Sequence, residues 1–162
     1  MSDRLIVELD AEGELQARLA RAITGMQHPQ ALMEAIGARL MTNIQLRFET
    51  KTDPDGYAWL PLAASTKARY AKQDTGADGT QRRQGSLLQR TGLMLQSLGY
   101  LAGDTQLEIG FSRPYAYWHE IGTQRMPRRS MLMGDPVAGR LGETDRQDVL
   151  DELEDFLAGA LG

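Results

Sequence analysis

Apolar residues recur at every fourth position from Leu32 through Ile36, Leu40 and Ile44 to Phe48, with Met33, Gly37 and Met41 alongside. That spacing gathers them on one stripe of a helix, with Pro29 as its first residue and Glu34, Arg39 and Arg47 to the sides. It predicts a long central helix that forms the main packing element. Before it, the alternation of Leu5, Val7 and Leu9 with Ile6 and Glu8 predicts a short strand. Asp10 then caps a helix carrying Leu15, Leu19 and Ile23 and ending near Gly25.

Turn chemistry interrupts the pattern at Thr50 to Leu62, TKTDPDGYAWLPL. Pro54, Asp55 and Gly56 favour a tight turn, and Pro61 forbids helix through Leu60, so Tyr57, Trp59 and Leu62 can fold back on the core. A short helix follows around Ser65 to Lys72. Gln73 to Gly85 has no apolar periodicity and three glycines, which predicts a long mobile loop. Leu87 to Leu98 reads as a short helical or extended entry broken by Thr91 and Gly92. Two strands follow, Ser97 to Ala102 and Gln106 to Phe111, joined through Gly103 and Asp104.

Tyr115 to Ile121 predicts one or two turns of helix, with Gly122 as a left-handed cap. Tyr115 and Trp118, three apart, are expected to bury on one face, with Tyr117 at the rim and His119 partly buried. Proline and glycine make the stretch from Pro127 to Gly139 irregular. Thr144 and Gln147 have the form of a capping box opening a last helix, 144–161, on which Val149, Leu150, Leu153, Phe156, Leu157 and Leu161 form one stripe. The fold class is therefore α+β, a single domain over 1–162: a long central helix and a C-terminal helix packed on a small antiparallel sheet.

Charge changes this picture more than composition does. The net charge of −4 hides a basic stretch (Lys67, Arg69, Lys72, Arg82, Arg83, Arg90) and an acidic end (Glu143, Asp145, Asp148, Asp151, Glu152, Glu154, Asp155). Such polarity suits a chain whose ends meet neighbouring copies or charged partners; two solvated faces are the plainer alternative. The absence of cysteine excludes disulfides and thiol chemistry. The apolar run near the N-terminus is too short for a signal sequence or a membrane span, so no membrane partner is expected and the protein is expected to be made in the cytoplasm.

Candidate chemistry is sparse. His119 and Glu120 are adjacent and point in different directions on any regular element, so they form no dyad alone. None of the serines has a nucleophile-elbow setting, two histidines are too few for a metal centre, and no phosphate-cradling glycine motif occurs. No cofactor, metal or catalytic residue is expected. Arg125, Arg128 and Arg129 near Tyr115, Tyr117 and Trp118 suit phosphate contact and base stacking, for instance as the lining of a DNA channel. The simpler reading has these arginines pairing with acids of a neighbour or facing water.

The ordered motifs together resemble the phage virion morphogenesis family, the tail-completion proteins of long-tailed phages. The resemblance runs through ALMEAIGARLMTNIQLRFET, PDGYAWLPLAASTKARY, LLQRTGLMLQSL, LEIGFSRPYAYWHEIGT and MPRRSML to the acidic final helix. Matching positions are Asp55, Gly56, Trp59, Pro61 and Leu62 in the turn; Thr91, Gly92 and Ser97 before the sheet; and Tyr115, Ala116, His119 and Gly122 after it; Trp118, between them, is taken as part of the same structural motif. Met131 and Leu132 stand where the family often carries phenylalanine.

The resemblance implies a structural, non-catalytic virion protein of the tail end or head–tail junction (neck). It would act as a homo-oligomeric ring on connector, stopper or tail-tube and terminator proteins. Arg82, Arg83, Arg125, Arg128 and Arg129 are then the candidate assembly contacts. A virion-associated hydrolase using His119 and Glu120, and a subunit touching DNA nonspecifically in the channel, are the alternatives.

Overall fold

The computed structural model describes residues 5–8, 13–74 and 87–161. The order of elements is β1 (Leu5–Glu8), α1 (Gly13–Thr24), α2 (Pro29–Thr50), α3 (Ala64–Asp74), α4 (Leu93–Gln96), β2 (Leu98–Ala102), β3 (Leu107–Phe111), α5 (Tyr115–Ile121) and α6 (Glu143–Leu161). The fold is α+β, as the periodicities predict. The antiparallel sheet has the order β1-β3-β2, so the N-terminal strand pairs with β3 on the edge away from the β2–β3 hairpin.

Helix α2 is the centre. Leu32, Ile36, Leu40, Ile44 and Phe48 are all buried, as their four-residue spacing requires. One side of α2 meets β2 and β3, and another meets α6. The sheet comes close because residue 37 is glycine: a Cβ there would lie 2.4 Å from the Tyr100 ring. On the other side Val149, Leu150 and Leu153 of α6 complete the core.

The α2–α6 seam also holds a buried polar network. The Arg47 guanidinium is paired with the Asp145 carboxylate, and both residues are buried. Asn43 Nδ2 donates to Asp145 at 3.0 Å and to Asp148 at 2.6 Å, and Arg39 donates to Asp148 at 2.9 Å. Periodicity alone placed Arg47 at the side of the helix; its long side chain instead reaches inward because a carboxylate awaits it.

Helix α2 ends where Lys51 adopts a left-handed conformation (φ 60°), its N–H bonded to the Arg47 carbonyl at 2.8 Å. Asp53 Oδ1 then accepts the amides of Asp55 and Tyr57, and Gly56 takes φ 88°. The chain doubles back so that Trp59 N–H meets the Lys51 carbonyl at 2.7 Å, and its ring packs edge-on against Phe48 at 5.6 Å.

Two expectations change. Gln73 and Asp74 end α3 rather than opening a loop, because Arg90 holds both, at 3.1 and 2.9 Å. The rest of the expected loop, with Arg82 and Arg83, lies outside the described residues. The last helix starts at Glu143, so Thr144 stands inside its first turn. The Glu143 amide is met instead by Asp55 Oδ1 at 3.2 Å, from the turn after α2. Gly142 permits this approach: a Cβ there would lie 2.3 Å from the Pro54 carbonyl.

Candidate functional site

Trp59, Pro61, His119 and Gly122 meet at one irregular segment, residues 128–134, which needs partners for its backbone because it forms no regular structure. Glu120 supplies the largest share. It is 1% exposed, and its carboxylate accepts the amides of Met131 (2.7 Å), Leu132 (3.2 and 3.3 Å) and Met133 (2.8 Å). Burial pushes this carboxyl above its ordinary range, while the three amides and the nearby Arg128 guanidinium pull it back. Both oxygens are thus engaged by backbone amides.

The turn after α2 holds the same segment from another side. Trp59 Nε1 donates to the Ser130 carbonyl at 2.9 Å. Arg129 is 3% exposed, and its guanidinium donates to the carbonyls of Leu60 (2.7 Å) and Pro61 (3.0 Å). Arg47 reaches the Met131 carbonyl at 2.8 Å. Met131, Leu132 and Met133 then bury their side chains in the core. Asp55 extends the arrangement with a two-pronged pair to Arg140, at 2.9 and 3.3 Å, which holds its carboxyl below the ordinary range.

The expected basic strip is therefore not one surface. Arg129 points inward. Arg128 lies at the surface, but its guanidinium is bound to the carbonyls of Glu120, Met133 and Gly134. Only Arg125 of the three extends without a side-chain partner among the described residues. Gly122 does take a positive φ (75°), but with ψ 173° it leaves the left-handed helical region. A Cβ there would meet the Arg128 amide at 2.8 Å. Gly92, also at positive φ (73°), turns the chain into α4, where the Thr91 hydroxyl meets the Leu93 amide at 3.4 Å.

Helix α5 is turned differently from the sequence expectation. Its buried face is Ala116 and Glu120, so Tyr115, Tyr117 and Trp118 are 43%, 44% and 51% exposed. Tyr115 and Trp118 do not bury together. A charged side chain took the inward position because three backbone amides were there to bind it, which hydrophobicity alone does not reveal. The result is a ridge of three aromatic rings, with Tyr117 and Trp118 edge-to-face at 5.2 Å.

Beside the ridge lies an open cleft of about 400 Å³, reached by Tyr115 and His119 from α5 and by Arg69 and Tyr70 from α3. Among the described residues its charged lining is Arg69, Arg90, Arg125 and Arg129, with no carboxylate. Arg90 stacks on the Tyr70 ring at 3.9 Å. Burial and the Arg129 charge push the His119 imidazole below its ordinary value, and its Nδ1 has no hydrogen-bond partner in the described structure.

Among the described residues no cluster of three or more His, Cys, Asp or Glu side chains could hold a metal ion, and no helix is long and apolar enough to cross a membrane. The chain belongs to the phage virion morphogenesis family, whose model matches residues 10–158. Comparison with curated proteins and with solved structures finds no match.

Proposed function

We propose that this chain is a structural subunit that completes the phage tail or the head–tail junction. It forms a ring of identical copies that stacks on connector, stopper or tail-tube and terminator proteins and stays in the virion. Family membership supports the morphogenetic role. The observation that carries the assembly role is the α5 ridge, where Tyr115, Tyr117 and Trp118 face solvent on a helix fixed from below by Glu120. Rigid aromatic side chains held outward lose little freedom on docking and dominate many protein contacts. Mass measurement and negative-stain imaging of the purified protein with its junction partners test the proposal. Closed rings on a connector or tail end are expected; a strict monomer that binds no such component contradicts it.

A further inference from the structure

Among the described residues the cleft lining carries four arginines and no carboxylate, with Asp74 pairing only Arg90, whereas the exposed edge of α6 has the opposite excess. Asp151, Glu154 and Asp155 are exposed on that edge, with Ala158, at spacings of three, four and seven residues that share one helix face. Leu157, 36% exposed, lies beside them. Beyond Arg146 the helix carries no basic residue. Arg18 offsets Glu154 only through a surface pair at 3.5 Å.

We propose that the cleft between α3, α5 and the 123–129 turn receives the acidic edge of α6 from a second copy of this chain. Arg69 and Arg125 meet its carboxylates at the rim. This deepens the ring reading and rests on it. Three observations favour this occupant. Arg69 and Arg125 are exposed and have no ion pair among the described residues, whereas Arg90 is already paired with Asp74 at 2.9 Å. The floor is apolar, through Leu88, Met94 and Met126, and suits a group such as Leu157 between carboxylates. A volume of about 400 Å³ admits a few side chains from a helix edge. Cleft and edge are different surfaces, so the contact is heterologous and repeats from copy to copy, as a ring requires.

The test uses two full-length variants neutralised at exposed positions: Arg69→Ala with Arg125→Ala, and Asp151→Asn with Glu154→Gln and Asp155→Asn. Sedimentation velocity reads assembly, and far-UV circular dichroism with thermal melting checks that each variant folds like wild type. Each variant alone should self-associate about tenfold more weakly or worse. Their equimolar mixture retains one intact cleft facing one intact edge, and should stop at a dimer of the two. Arg125→Lys should assemble like wild type.

Wild-type rings that persist in both variants overturn the cleft contact and leave the ring reading standing. A wild type that stays monomeric and binds no junction component removes both. A cleft variant that assembles normally but loses binding to a DNA duplex assigns the cleft to nucleic acid and overturns the proposal.

Discussion

Glu120 Oε2 accepts the Met131 amide at 2.7 Å, joining the centre of α5 to a segment eleven residues further on. With the Leu132 and Met133 amides on the same carboxylate, α5 has only one way to face. The aromatic ridge is the consequence, because pinning Glu120 inward turns Tyr117 and Trp118 outward.

Replacing Glu120 by Gln keeps the shape but points an NH2 group at amides that need acceptors. Hydrogen bonds to a charged group contribute about 1.5–3 kcal/mol each, so a loss of about 3 kcal/mol is expected. Urea denaturation should show a lower midpoint with an unchanged slope. An unchanged midpoint would mean the carboxylate does not hold the segment.

Arg129→Ala and Arg125→Ala should behave differently although four residues apart. The first removes the charged donor of the Leu60 and Pro61 carbonyls and should lower stability by about 2 kcal/mol or more. The second changes an exposed side chain and should leave the melting temperature within error. Equal effects would contradict the inward placement of Arg129.

The Arg47–Asp145 pair predicts strong coupling. Asp145→Ala leaves a buried guanidinium without its counter-charge, a change that costs about 3–5 kcal/mol. Adding Arg47→Ala should cost clearly less than the two single effects summed, as a double-mutant cycle would measure. Additive losses would show that the two act independently.

His119 gives the fold a pH dependence with a defined sign. Burial and Arg129 depress its folded-state value below 6.5, so the unfolded chain takes up a proton before the folded one does. Its contribution is complete above 6.5 and is lost as pH falls from there toward the folded-state value. Denaturation midpoints measured between about pH 7.5 and pH 5.5 should fall more steeply for wild type than for His119→Gln. Parallel slopes would exclude His119 as the source.

Much of this fold was legible because its helices carry long apolar stripes. Leu32 to Phe48 placed α2 to within a residue, and Leu98 to Phe111 placed the hairpin, since each pattern repeats with the period of its element. The site was legible only as a set of motif positions. Trp59 and Pro61 were identified, but not that they meet Ser130 and Arg129, about seventy residues away. Buried polar residues were not legible in the sequence, for one shared reason. Glu120, Arg129, Arg47 and Asp145 are inside because distant backbone or side-chain groups satisfy them, and no local period encodes such a partner. One signal was available: an irregular run of apolar residues, Met131 to Met133, must bury amides that need an acceptor.

Whether the α5 ridge is an assembly contact is decided by placing Tyr117→Ser with Trp118→Ser in the virus itself. Electron microscopy of the particles formed, beside thermal melting of the purified variant, gives both readouts. A melting temperature near that of wild type and an accumulation of unjoined heads and incomplete tails are expected. Normal, joined particles carrying the folded variant would contradict an assembly contact there.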